Sequence, residues 1–179
     1  MNSKNKNLRA LTEGAAMVAA AVVLNFLKVD LFAQGGSINL IFIPLMVYAL
    51  RWGAGWGVAA GAVFGVLKAI IGGGISYGWQ SLLLDYAVAY ALVGLAGLMP
   101  KKPVLSTVFG TLGALLSFVL SGVIVWGEWM PEAFLGLKMV NIWVYSFLYN
   151  GLYTVTNGVL AALVIALLSK RRDLLERQN

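Results

Sequence analysis

The sequence predicts an all-α integral membrane protein: six transmembrane helices in one bundle, with both termini cytoplasmic. Three observations carry that prediction. Of 179 residues, 60% are hydrophobic and 11% are charged, whereas a soluble domain carries about 25% charged residues. So little polar surface cannot coat a water-soluble globule, and the mean hydropathy of +0.85 agrees. The apolar residues also fall in long runs broken by short polar, glycine or proline joints, and the basic residues gather in alternate joints.

Spans are expected at about 8–27, 37–50, 54–71, 79–98, 104–126 and 140–169, forming a single transmembrane substrate-binding domain over residues 1–179. Met1–Asn7 is polar and basic, and the apolar run after it leads into further spans. It reads as an uncleaved first helix closed by Lys28-Val29-Asp30, not as a signal peptide. The second span ends at Arg51-Trp52-Gly53 and is short for the ~20 residues that cross hydrocarbon. It begins earlier, tilts, or sits partly inside the bundle. The third stops at Gly72-Gly73-Gly74, a run that cannot stay helical cheaply. The fourth stops at Pro100-Lys101-Lys102-Pro103. A polar, aromatic loop, Gly127–Lys138, separates the fifth from the sixth, which Lys170-Arg171-Arg172 ends.

Charge sets the orientation. With six spans, one side holds Lys4, Lys6, Arg9, Arg51, Lys101, Lys102, Lys170, Arg171, Arg172 and Arg177. The other holds Lys28 and Lys138, together with Asp30, Glu128 and Glu132. Ten bases against two place both termini in the cytoplasm. The net charge of +6 thus marks topology and not a nucleic-acid surface.

Several function classes are excluded. The chain has no cysteine and no histidine, so thiolate chemistry and the commonest metal ligand and general base are missing. It has no phosphate-binding Gly-x-x-x-x-Gly-Lys-Ser/Thr loop. No catalytic set emerges, no metal or cofactor is called for, and the chain is not expected to be an enzyme.

Polar residues inside the spans point to a site instead. Asp85 lies two turns into an apolar run, where a carboxylate costs roughly 2.5–3.5 kcal/mol in a bilayer helix. Lys68 lies about one turn below the outer surface, and Asp85 roughly 9 Å down at ~1.5 Å per residue. The two either pair or line one cavity; otherwise Lys68 snorkels to the interface. Tyr145, Tyr149, Asn150, Tyr153 and Asn157 line the sixth span with hydrogen-bonding groups, and Asn150 and Asn157 share a face. A carboxylate, an asparagine, tyrosine hydroxyls and an aromatic face suit a flat, nitrogen-containing ring, and the carboxylate favours a cation. Ala15 and Ala19, on one face of the first helix, allow close approach of another helix, within the bundle or from a partner. Gly53, Gly57, Gly61 and Gly65 repeat every four residues along the third span and read as a ridge for internal packing.

The order and spacing of several short motifs resemble a known family over nearly the whole chain. They are Leu11-Thr12-Glu13 with the alanine-rich helix, Ile43-Pro44, Leu50-Arg51-Trp52-Gly53, Leu84-Asp85-Tyr86, Gly94-Leu95-Ala96-Gly97-Leu98, Gly122-Val123-Ile124-Val125-Trp126, Tyr145-Ser146 and Asn150-Gly151. They resemble the substrate-binding S-components of energy-coupling-factor vitamin transporters, in particular the thiamine-specific branch.

The resemblance implies a six-helix protein of a prokaryotic cell membrane that captures thiamine, or a related small heterocyclic vitamin, from outside. It implies a transmembrane scaffold subunit and two cytoplasmic ATPase subunits as partners, with the scaffold contact at Ala15 and Ala19. Ligand-binding positions carry over to Asp85 (Glu in the family), Tyr86, Trp126, Tyr145 and Asn150. This chain departs from the family's pattern in places. The pocket histidine and lysine align with Phe118 and Ala114, the loop-one tryptophan falls near Gln34-Gly35, and Lys68 occupies a usually neutral position. Lys68 opposes a cationic thiazolium unless Asp85 neutralises it, so it joins the candidate ligand-binding residues. The alternatives are an S-component for a related vitamin or thiamine precursor, and a stand-alone ion-coupled small-molecule carrier. A purely structural membrane subunit would leave the polar residues of the sixth span unexplained.

Overall fold

The computed structural model describes residues 3–32 and 35–176. Helix α1 (Ser3–Phe26) leads into a hairpin of β1 (Val29–Phe32) and β2 (Gly35–Ile38), with Val29 opposite Ile38 and Phe32 opposite Gly35. Helices α2 (Phe42–Trp52) and α3 (Ala54–Ile71) follow. A 3-10 turn at Gly74–Tyr77 precedes α4 (Trp79–Gly97), and α5 (Pro103–Ile124) comes next. The polar loop after it folds into a second small hairpin, β3 (Ala133–Phe134) against β4 (Leu137–Lys138). The long α6 (Ile142–Leu168) and a last turn, α7 (Arg172–Leu175), complete the chain.

Among the described residues five helices, α1, α3, α4, α5 and α6, are long and apolar enough to cross a membrane. Helix α2 differs from the others. Its 11 residues reach only about 17 Å at ~1.5 Å per residue, and all but Ile43 and Arg51 are buried. It is therefore the central packing helix of the bundle and does not face lipid. Leu45, Met46, Tyr48 and Leu50 from it meet Phe64, Tyr90, Val93 and Ile165 in the core. Gly53 joins α2 to α3 at φ 90, ψ 168, a left-handed conformation open to glycine and strained for other residues.

Two features hold the helices in register. The glycine ridge of α3 lets α4 approach backbone to backbone: a methyl at Gly61 would run into the Tyr90 carbonyl, and one at Gly65 into that of Tyr86. Toward the C-terminal end of α2, Tyr48 Oη donates to Ala10 O (2.9 Å), and the Arg51 guanidinium forks onto the Glu13 carboxylate. Arg51 Nη1 also donates to Leu174 O (2.7 Å), so α1, α2 and the last turn share one side chain.

Candidate functional site

The site is built on an irregular stretch of α4. Trp79–Ser81 is α-helical, Leu82–Val88 is a seven-residue π-helical segment, and α-helix resumes at Ala89. Wide π turns cost hydrogen-bond geometry and occur mostly at functional positions. Here a neighbour compensates, because Ser117 Oγ on α5 donates to Leu84 O (2.7 Å). Asp85 sits in the middle of this segment.

Its carboxylate is held from one side. Ser81 Oγ, one turn earlier, donates to Oδ2 at 2.8 Å, and Trp126 Nε1, just past the end of α5, donates to the same oxygen at 2.9 Å. Ser121 Oγ approaches without reaching hydrogen-bond geometry. Among the described residues, no hydrogen bond or ion pair reaches Oδ1. The Trp126 ring meets Tyr77 edge-on, with centroids 5.3 Å apart. Tyr86 lays its ring over Gly74, within electrostatic reach of Asp85.

An aromatic train runs from the hairpins into the core. Phe32 of β1 packs on Tyr149 (4.8 Å) and Phe134 (5.3 Å), and Phe134 of β3 meets Tyr145 edge-on (5.4 Å, 88°). Tyr149 contacts Tyr153 (6.2 Å), Tyr153 contacts Phe118 (5.8 Å), and Phe118 contacts Tyr90 (6.0 Å). Phe118 thus stacks within this wall, and Ala114 is fully buried in the core. Of the Gln34-Gly35 pair, Gln34 lies outside the described residues.

The two asparagines of α6 have separate tasks. Asn150 Nδ2 donates to Ser146 O (2.9 Å) and Oγ (3.2 Å), while its Oδ1 accepts from Tyr153 Oη (2.5 Å). It therefore fixes the Tyr153 hydroxyl. Asn157 reaches the first hairpin: Oδ1 accepts from Asn39 N (2.9 Å) and Nδ2 donates to Ser37 O (3.0 Å). A shared helical face does not mean a shared partner.

Lys68 turns inward and not to the interface. It lies on the face of α3 that carries Gly61, Phe64 and Gly65, opposite the exposed Val63, Val66, Leu67 and Ile70. Its ammonium donates to the Tyr90 hydroxyl and lies 4.7 Å from that ring's centroid. It feels the Asp85 charge, but among the described residues it makes no ion pair with a carboxylate.

Ala15 and Ala19 are exposed. They line an almost wholly apolar cleft of about 730 Å³ between α1 and α3, with Val18, Trp56, Val63 and Leu67 among its walls.

The structure thus brings Asp85, Trp126 and Tyr86 together, while Tyr145 and Asn150 belong to the aromatic wall that ends at Tyr90. Residues beyond the candidate set also take part. Ser81 had a readable signal, four residues before Asp85 on a helix. Phe32 and Phe134 had none, since only the folding of the hairpins brings them to the site.

These features define the class: an all-α integral membrane protein with a polar, aromatic-walled site held between its helices. A family model described as "Thiamine transporter protein (Thia_YuaJ)" matches residues 11–176, and the chain belongs to that family. It is similar to the thiamine transporter ThiT of Bacillus subtilis (strain 168), 32% identical over 93% of each chain. It is also similar to the ThiT of Lacticaseibacillus paracasei, 29% identical over 92% of this chain and 89% of that one. A solved structure of ThiT from Listeria monocytogenes shares the fold, with a TM-score of 0.83 at 23% identity over 96% of this chain and 99% of that one. The chain is therefore a transport protein and not an enzyme, a multi-pass protein of a prokaryotic plasma membrane.

Proposed function

We propose that this chain is the membrane substrate-binding subunit of an ATP-driven energy-coupling-factor importer and captures thiamine from outside the cell. The observation that carries the reading is the Asp85 carboxylate. Trp126 and Ser81 hold one oxygen, while the other accepts no hydrogen bond among the described residues. An inward carboxylate with an unused acceptor favours a cationic, hydrogen-bonding ligand, and nearby aromatic faces suit its flat rings. Asp85, Tyr86, Trp126, Tyr145 and Lys68 are the proposed ligand-facing residues; Asn150 contributes by fixing Tyr153.

In this reading the whole chain is one domain with α2 counted as a sixth, shortened span, and both termini lie in the cytoplasm. Energy comes from two ATPase subunits through a transmembrane scaffold. The apolar cleft beside Ala15 and Ala19 supports a scaffold contact there, since small residues let another helix approach closely. The purified chain should bind thiamine with quenching of tryptophan fluorescence, Trp126 being bonded to the proposed ligand-binding carboxylate. Unchanged emission and no heat on titration would sink the ligand assignment.

A further inference from the structure

The inner face of α3 puts a positive charge where the thiamine reading has no need of one. Gly61, Phe64, Gly65 and Lys68 follow a helical spacing toward α4, and Phe64, fully buried, packs edge-on against Tyr90 at 4.9 Å. Lys68 continues that row. Its ammonium ends at the Tyr90 hydroxyl, and Tyr90 is itself cased by Phe64, by Phe42 (6.4 Å) and by Phe118 (6.0 Å). A lysine free to snorkel would extend to the interface. This one is anchored inside, by a group that is only 4% exposed.

Asp85 and Lys68 therefore stand as separate poles. Each is held by neutral partners, Trp126 and Ser81 for the carboxylate and Tyr90 for the ammonium. A direct ion pair would cancel both charges and leave nothing for a ligand. Held apart, the carboxylate keeps one oxygen for a cation, and the ammonium keeps N–H donors beyond the one given to Tyr90.

We infer that Lys68 is a specificity-determining residue that gives the site a positive pole, favouring ligands whose cationic ring carries an anionic substituent over ligands that carry the cation alone. This deepens the thiamine reading and rests on it. The phosphate monoester of thiamine has the required chemistry, with a ring cation for Asp85 and a phosphate oxygen for Lys68. At ~8 Å and an effective dielectric near 20, one unit charge acting on another changes an affinity about 30-fold. The sign is opposite for the two ligands.

The test is titration of the full-length detergent-purified protein with thiamine and, separately, with its phosphate monoester, for wild type, Lys68→Met and Lys68→Arg. Lys68→Met should bind thiamine about tenfold or more tightly than wild type and the monoester about tenfold or more weakly. Lys68→Arg, which keeps the charge, should keep the wild-type ratio of the two dissociation constants. A ratio that moves less than threefold in Lys68→Met, with both ligands still bound, overturns the inference and leaves the thiamine reading intact. Wild-type protein that binds neither ligand overturns the thiamine reading and this inference with it. If Lys68→Met fails to fold, Tyr90→Phe, which removes the anchor and keeps the ring, decides the matter. A shifted ratio there supports the inference and an unchanged one overturns it.

Discussion

Trp126 Nε1 donates to Asp85 Oδ2 across 2.9 Å, tying the end of α5 to the π-helical segment of α4. The bond orients the carboxylate through Oδ2, and among the described residues Oδ1 accepts no hydrogen bond. Hydrogen bonds to charged groups contribute about 1.5–3 kcal/mol, so both partners should matter to ligand binding. Asp85→Asn and Trp126→Phe should each weaken thiamine binding by about tenfold or more. Their double-mutant cycle should show coupling of about 0.5–3 kcal/mol. Calorimetric titration of the four proteins measures this, and strictly additive losses would show that the two residues act separately.

The contact between α3 and α4 rests on glycines without room for a methyl. Gly61→Ala drives its Cβ into the Tyr90 carbonyl, an overpacking that costs about 1–3 kcal/mol. Gly55, on the same helix, has no atom within 4 Å of an added Cβ, so Gly55→Ala should be neutral or slightly stabilising. Thermal unfolding in detergent compares them. Equal melting temperatures for the two variants would refute a backbone-to-backbone contact at Gly61.

Asn157 anchors the first hairpin to α6 through two bonds, from Asn39 N and to Ser37 O. Asn157→Leu leaves a buried N–H and a carbonyl without their partner, at a cost of about 1–3 kcal/mol. Amide exchange should then speed up over residues 37–41 and stay slow along α3. Protection unchanged in the 37–41 segment would mean that the hairpin is held by its aromatic contacts alone.

Much of the architecture was legible because the bilayer simplifies the physics. Apolar runs and polar joints had to mark helices and their ends, since no backbone group can go unpaired in hydrocarbon. The structure places α3 at Ala54–Ile71 and α5 at Pro103–Ile124, against expected spans of 54–71 and 104–126. The second span was the exception. Its shortness was visible, but its burial on nearly every face depends on neighbours far along the chain. The loop over Gly127–Lys138 hid a hairpin, because two-residue strands leave no periodicity to read.

The site divides in the same way. By itself the sequence determined that Asp85 and Lys68 were intramembrane charges needing partners, because their depth follows from counting residues along a helix. It also determined that α6 carried an excess of hydrogen-bonding groups. Tertiary structure decided who met whom: Trp126 and Ser81 at Asp85, Tyr90 at Lys68, Tyr153 at Asn150, Asn39 and Ser37 at Asn157. The reason is geometric. Spacing fixes the face of a helix on which a side chain lies, but a π-helical segment turns that face, and the packing of the other helices decides which donor comes within 3 Å.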